Sequence, residues 1–195
     1  MTGTGARRRR ADAERSVAAI MRAAAGCLAA DPEASITDIA NAAGVGRVTV
    51  YGHYSSRAEL IDATMRHALA EADEILGSVD LDGAPDAALG RLIASTWRLT
   101  DRFRGLLVAA ERTLPAERIL AAHAAPARRI QSLVDRGRAQ GVFRTDLPVH
   151  WLITMLHAVI HAAATEVSAG RLAEDDAAEM ITTTVLGVFR PTGRT

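Results

Sequence analysis

Between Arg47 and Arg57 the chain gathers side chains suited to gripping a partner rather than to making or breaking bonds. Arg47 and Arg57 carry permanent guanidinium charge, Thr49 and Tyr51 carry hydroxyls, His53 carries two ring nitrogens, and Val48 contributes bare methyl groups. Guanidinium forks suit phosphate oxygens and guanine edges, hydroxyls add single hydrogen bonds, and a methyl group can meet the methyl of thymine. If residues 46–54 form a helix, Val50 and Tyr54 are four apart and share its buried side. Arg47, Val48, Thr49, Tyr51 and His53 then point outward. A valine between an arginine and a threonine is out of place on a solvated face. It fits a helix laid against base edges in the DNA major groove.

Such a helix needs supports that fix its angle, and the flanking residues supply them. Ser35 precedes Ile36-Thr37-Asp38, a Ser-x-x-Asp capping box that starts a helix and places a carboxylate in its first turn. Ile36, Ile39, Ala40 and Ala43 follow the i, i+3, i+4, i+7 spacing of one apolar face. Gly44 stands where a helix ends in a left-handed residue, and Val45 can plug the crossing to the next helix. Ser56-Arg57-Ala58-Glu59 is a second capping box, opening a third helix that starts its apolar side with Leu60 and Ile61. Each box alone is common, and three short helices of an ordinary all-α core would carry the same signals.

The segment resembles the DNA-binding domain of the TetR (tetracycline-repressor-like) transcriptional regulators. The resemblance rests on Ile39-Ala40, Ala43-Gly44-Val45, Thr49-Val50-Tyr51, Tyr54, Arg57 and Leu60, and extends from Val17 to Met65. Tyr54 stands where phenylalanine is usual, Arg57 where lysine is usual, and Gly52 where a bulkier side chain is common. The resemblance implies that Thr37 and Tyr51 hold phosphates, that Arg47, Val48 and Thr49 face bases, and that His53 and Arg57 anchor the flanking backbone. It also implies a second helical domain that holds a small-molecule effector, and a homodimer formed through the last two helices that binds a palindromic operator. Trp97, Phe103, His123, Met155 and His157 are the pocket candidates, and each also reads as plain core. An apolar lining with few polar groups would suit a hydrophobic or aromatic effector.

Arg7 to Arg10 form a run of four cations, expected to be a flexible basic arm. Such an arm is either a solvated tail or a reader of phosphates and the minor groove. Residues 1–67 hold nine Arg against seven acids, a surplus of two positive charges, while the chain as a whole is neutral. Whole-molecule polyanion binding is therefore not expected. The single Cys27 excludes an internal disulfide and falls on the apolar side of the first helix. No apolar run reaches membrane-spanning length and the start lacks a signal-peptide pattern, so a cytoplasmic protein is expected.

The whole chain reads as all-α, with about nine helices. A helix-turn-helix domain is expected over residues 1–67 and an effector-binding and dimerisation domain over 68–195. Helix 4 would run from Ser56 to about Leu76, followed by a polar break from Gly77 to Pro85. Pro126 must break or kink the stretch that Pro115 opens. Pro148 starts a helix that ends before Gly170, and the last spans Glu174 to Phe189. Trp151 to Val167 is apolar around nearly its whole circumference, which calls for burial on two sides and hence a second subunit. His150, His157 and His161 share one strip of that helix, which suits an interface, a pocket wall, a solvated face or a metal site, with no acid or cysteine to complete a metal set. No cofactor is expected. The chain lacks G-x-S-x-G, a phosphate loop, H-E-x-x-H and paired cysteines, so an enzyme is the least supported reading. A helical interaction protein that has lost DNA binding is the nearer alternative.

Overall fold

The computed structural model describes residues 3–122 and 124–191. Among them are ten helices and no strand: α1 (Gly3–Ala30), α2 (Ile36–Ala43), α3 (Arg47–His53), α4 (Arg57–Gly77), α5 (Pro85–Arg102), α6 (Arg104–Thr113), α7 (Ala116–Ala122), α8 (Ala124–Ala139), α9 (Val149–Ser168) and α10 (Glu174–Phe189). The tenth helix arises because the stretch after Pro115 divides into α7 and α8. Pro126 lies in the first turn of α8, where a missing N–H breaks no intrahelical bond. The basic arm needs correction too. The backbone of Arg7–Arg10 is helical, as the opening turns of α1.

The chain divides into two compact units. The first takes the residues up to Ala70 together with Phe103–Ala122; the second takes Glu71–Arg102 and the described residues beyond Ala122. The first unit therefore includes α6 and α7, which a linear division at residue 67 does not foresee.

In the first unit α1 packs on α2, α3 and α6. Ile20, Ala24 and Leu28 from α1 meet Ile39 from α2, Val50 from α3, Leu60 and Ile61 from α4, and Leu106 from α6, all fully buried. Each large aliphatic side chain removed from water in this way contributes on the order of 1.5–3 kcal/mol. Cys27 is half-buried against the same cluster. Gly105 explains how α6 comes so close to α1. A Cβ there would stand 2.2 Å from the Leu28 carbonyl oxygen and 2.5 Å from that of Ala29.

In the second unit α10 packs on α5 and α9, and α8 packs on α5 and α9. Leu89, Ile93, Leu152, Ile181, Val185 and Phe189 are buried there. Gly141 ends α8 in the left-handed region at φ 71°. The connector after it docks on the end of α10. Phe143 meets Phe189 edge to face at 5.7 Å, and the Arg144 N–H donates to the Phe189 carbonyl at 2.7 Å. The Arg144 guanidinium adds a bond to the Val188 carbonyl and a two-bond pair with Asp146. A cation is favoured at a helix C-terminus, where carbonyls are unpaired.

Candidate nucleic-acid interface

The expected capping box at Ser35 is complete. The Asp38 N–H donates to Ser35 Oγ at 3.2 Å, while the Ser35 N–H and hydroxyl donate to the Asp38 carboxylate at 2.9 and 2.6 Å. Those bonds, the hydroxyl first, hold the Asp38 pKa below its usual value. Helix α2 stops at Gly44, at φ 68°, whose N–H donates back to the carbonyls of Ala40 and Asn41. The Val45 N–H bonds to the Ala40 carbonyl at 3.0 Å, which closes the turn in the two-bond pattern of a left-handed helix end.

The box before α4 differs by one residue from its expected form. Ser56 Oγ accepts the Glu59 N–H at 3.1 Å, as expected, but the Glu59 carboxylate reaches past it to the N–H and hydroxyl of Ser55, at 2.7 and 2.6 Å. The Ser55 bonds lower the Glu59 pKa. Two adjacent serines share the cap, which fixes the short link between α3 and α4.

These two caps and the core beneath them present one face of α3. Val50 is fully buried, and Tyr54, just past the helix end, is 8% exposed. The Tyr54 hydroxyl donates to Met21 Sδ at 3.1 Å, so the oxygen that phenylalanine would lack has a buried partner. Burial raises the Tyr54 pKa. Opposite this anchor, Val48 is 86% exposed, and Tyr51 is 46% exposed. Arg47 and His53 are exposed, Thr49 is half-buried, and Thr37 is exposed on the first turn of α2. The Arg47 guanidinium lies 6.0 Å from the centre of the Tyr51 ring, within cation–π range. Gly52 follows Val48 by four residues and is exposed on the same line of the helix.

Arg57 has a second attachment that its position in the sequence did not reveal. It is half-buried, and its Nε and Nη2 donate to the carbonyls of Ala34 and Pro32 at 3.2 and 2.6 Å. It ties the start of α4 to the link between α1 and α2. Nη1 takes no part in these two bonds.

The pocket candidates are dispersed. Trp97 is buried in α5 at 3% exposure, and Phe103 packs half-buried against the core of the first unit. Met155 and His157 are half-buried on α9, two residues and so about 200° apart around it. They flank opposite edges of its buried face. His123 lies outside the described residues. On the histidine strip, His150 is exposed while His157 and His161 are half-buried. No three His, Cys, Asp or Glu side chains converge as a metal site among the described residues. No helix among them is long and apolar enough to cross a membrane.

Residues 20–64 match the family described as bacterial regulatory proteins, tetR family. The HTH-type transcriptional repressor LfrR of Mycolicibacterium smegmatis is 42% identical over 83 residues, a match covering 42% of this chain and 44% of that protein. The sequence match thus spans less than half the length of that curated relative. In structure, the chain is similar to the TetR-like transcriptional regulator LfrR from Mycobacterium smegmatis in complex with proflavine. That likeness has a TM-score of 0.71 and 26% identity, over 92% of this chain and 99% of the other. The transcriptional regulator FadR from Bacillus subtilis, solved with stearoyl-CoA, shares the fold at a TM-score of 0.74 and 14% identity, over 89% of this chain and all of that one.

Proposed function

We propose that the chain, whose residues 20–64 match the tetR family of bacterial regulatory proteins, is a dimeric, ligand-responsive transcriptional regulator of that family, not an enzyme. One observation carries the reading. Val48 stands almost fully exposed between Arg47 and Thr49, on a helix anchored from behind by Val50 and Tyr54. In the proposal Arg47, Val48 and Thr49 read base edges, Thr37, Tyr51 and His53 hold phosphates, and Nη1 of Arg57 adds a flanking contact.

A single head of this size binds weakly, and a two-fold dimer doubles it on a pseudo-palindromic operator. Helices α9 and α10 suit that role. Trp151, Thr154, Ala158, Ala162 and Thr165 form an exposed uncharged strip on α9, and Met180, Thr183, Thr184 and Gly187 form one on α10. Trp151 and Met180 are 48% and 57% exposed, an unfavourable placement unless covered. An effector, hydrophobic or aromatic in this reading, would act by binding one dimer conformation better than the other. Trp97, Met155 and His157 of the second unit are retained as its candidate contacts. The similar regulator LfrR, solved in complex with proflavine, supports an effector of this kind. Repression is the simpler output, since occupying an operator suffices to block polymerase, and in this reading the protein works in the cytoplasm beside the chromosome.

Titration of the full chain against DNA from upstream of its own gene tests this reading. Specific binding is expected, falling steeply with salt as counterions return to the phosphates. A folded dimer that binds no DNA at any salt concentration would favour an interaction protein instead. Sedimentation tests the interface separately: Ala158→Glu sets a charge in the middle of the α9 strip and should yield monomers that bind the operator poorly.

A further inference from the structure

The second unit contains a cavity of about 580 Å³ that none of the pocket candidates lines. Its walls are Asp73 from the end of α4, Leu81 from the link to α5, and Arg128, Arg129, Ser132, Leu133 and Arg136 from one face of α8. Its size falls within the range of small-molecule sites. Three guanidinium groups face one carboxylate, so the lining carries an excess of two positive charges.

The three arginines are not equally occupied. Arg129 pairs with Asp73 at 3.2 Å, and Arg136 donates through Nη2 to the Leu81 carbonyl. Arg136 Nε is buried without a hydrogen-bond partner among the described residues. Arg128 is exposed, and its guanidinium makes no hydrogen bond or ion pair among them. With only Asp73 opposing three guanidinium groups, the lining favours an oxyanion with two or three acceptor oxygens. Guanidinium forks match carboxylate and phosphate geometry, while Leu133, Leu81 and the arginine stems offer apolar wall beside the charge.

We propose that this cavity binds a small organic anion, with a carboxylate or phosphate headgroup held by Arg128 and Arg136 and an apolar body lying along Leu81 and Leu133. None of its lining residues belongs to the proposed DNA-reading face.

Calorimetry on the full-length protein, without DNA, tests the site with decanoate, decyl phosphate, decanol and inorganic phosphate. At least one of the two charged amphiphiles should bind tenfold or more tightly than decanol, and more tightly than inorganic phosphate. Arg128→Gln should weaken that binding about tenfold and Arg128→Glu should abolish it. Both variants should melt like the wild type, because Arg128 holds no other described group. Equal binding of decanol and the anions, anion binding untouched by Arg128→Glu, or no anion binding at millimolar concentration would each overturn the proposal. None of these outcomes bears on operator binding, so the two readings fail separately.

Discussion

Arg57 Nη2 donates to the carbonyl oxygen of Pro32 at 2.6 Å, tying the first turn of α4 to the link between α1 and α2. With the Nε bond to Ala34, the planar guanidinium serves two carbonyls at once. A lysine ammonium lacks that fork. Arg57→Lys should lower stability by roughly 1 kcal/mol, the scale of one lost charged hydrogen bond, while keeping the charge near DNA. Arg57→Gln should lower stability as well and also reduce the slope of log affinity against log salt by about one. Urea midpoints and a salt titration of operator binding measure the two roles independently.

Most of this region was legible because its signals are local. Capping boxes, a left-handed glycine and an i, i+4 anchor pair each act within a few residues, and Ser35–Asp38, Gly44 and Val50–Tyr54 stand as expected. The second Arg57 attachment spans 25 and 23 residues, and no short-range pattern encodes it. The placement of α6 depends on the missing side chain of Gly105 meeting carbonyls more than seventy residues earlier, which leaves no periodic trace. The arginines of α8 form a charged face in sequence, but Asp73 and Leu81 complete the cavity from elsewhere.

Gly52 lies on the outermost line of α3 with Val48, and a Cβ there would meet nothing within 4 Å. Its backbone needs no special conformation, since positive φ occurs among the described glycines at Gly44, Gly83, Gly141 and Gly170. Gly52→Ala should therefore stabilise the protein by up to about 1 kcal/mol through helix propensity. The added methyl points toward the DNA-reading face, so operator affinity should fall. Val48→Ala should leave stability within about 0.5 kcal/mol, as expected for an exposed site, and relax base preference at one operator position. Thermal melts paired with binding to a set of singly substituted operators check both variants.

Gly105 allows the opposite prediction. Because the atoms in the way are the Leu28 and Ala29 backbone, a side chain there cannot be accommodated by a rotamer change. Gly105→Ala should destabilise the first unit by roughly 1–3 kcal/mol, the usual range for overpacking, despite alanine being the better helix former. A urea midpoint at or above the wild-type value would mean that α6 does not sit this close to α1.

Asp146 gives the fold an acid limit. The hydrogen bonds from Arg144 lower its pKa from 3.8 to about 2, with further help from a backbone N–H and the charges of Arg144 and Arg138. A depressed carboxylate contributes stability above its unfolded pKa and loses it as pH falls through the folded value. The Asp146 contribution should therefore be complete at neutral pH, begin to decline near pH 4 and be gone below about 2. Asp146→Asn keeps the shape of the side chain but removes the charge that holds Arg144 against the end of α10. Wild type and variant should differ in urea midpoint by a constant amount from pH 7 to 5, and the two curves should converge as the pH drops from 4 toward 2. A gap that stays constant over that range would show that Arg144 keeps its place against Val188 and Phe189 without the Asp146 carboxylate.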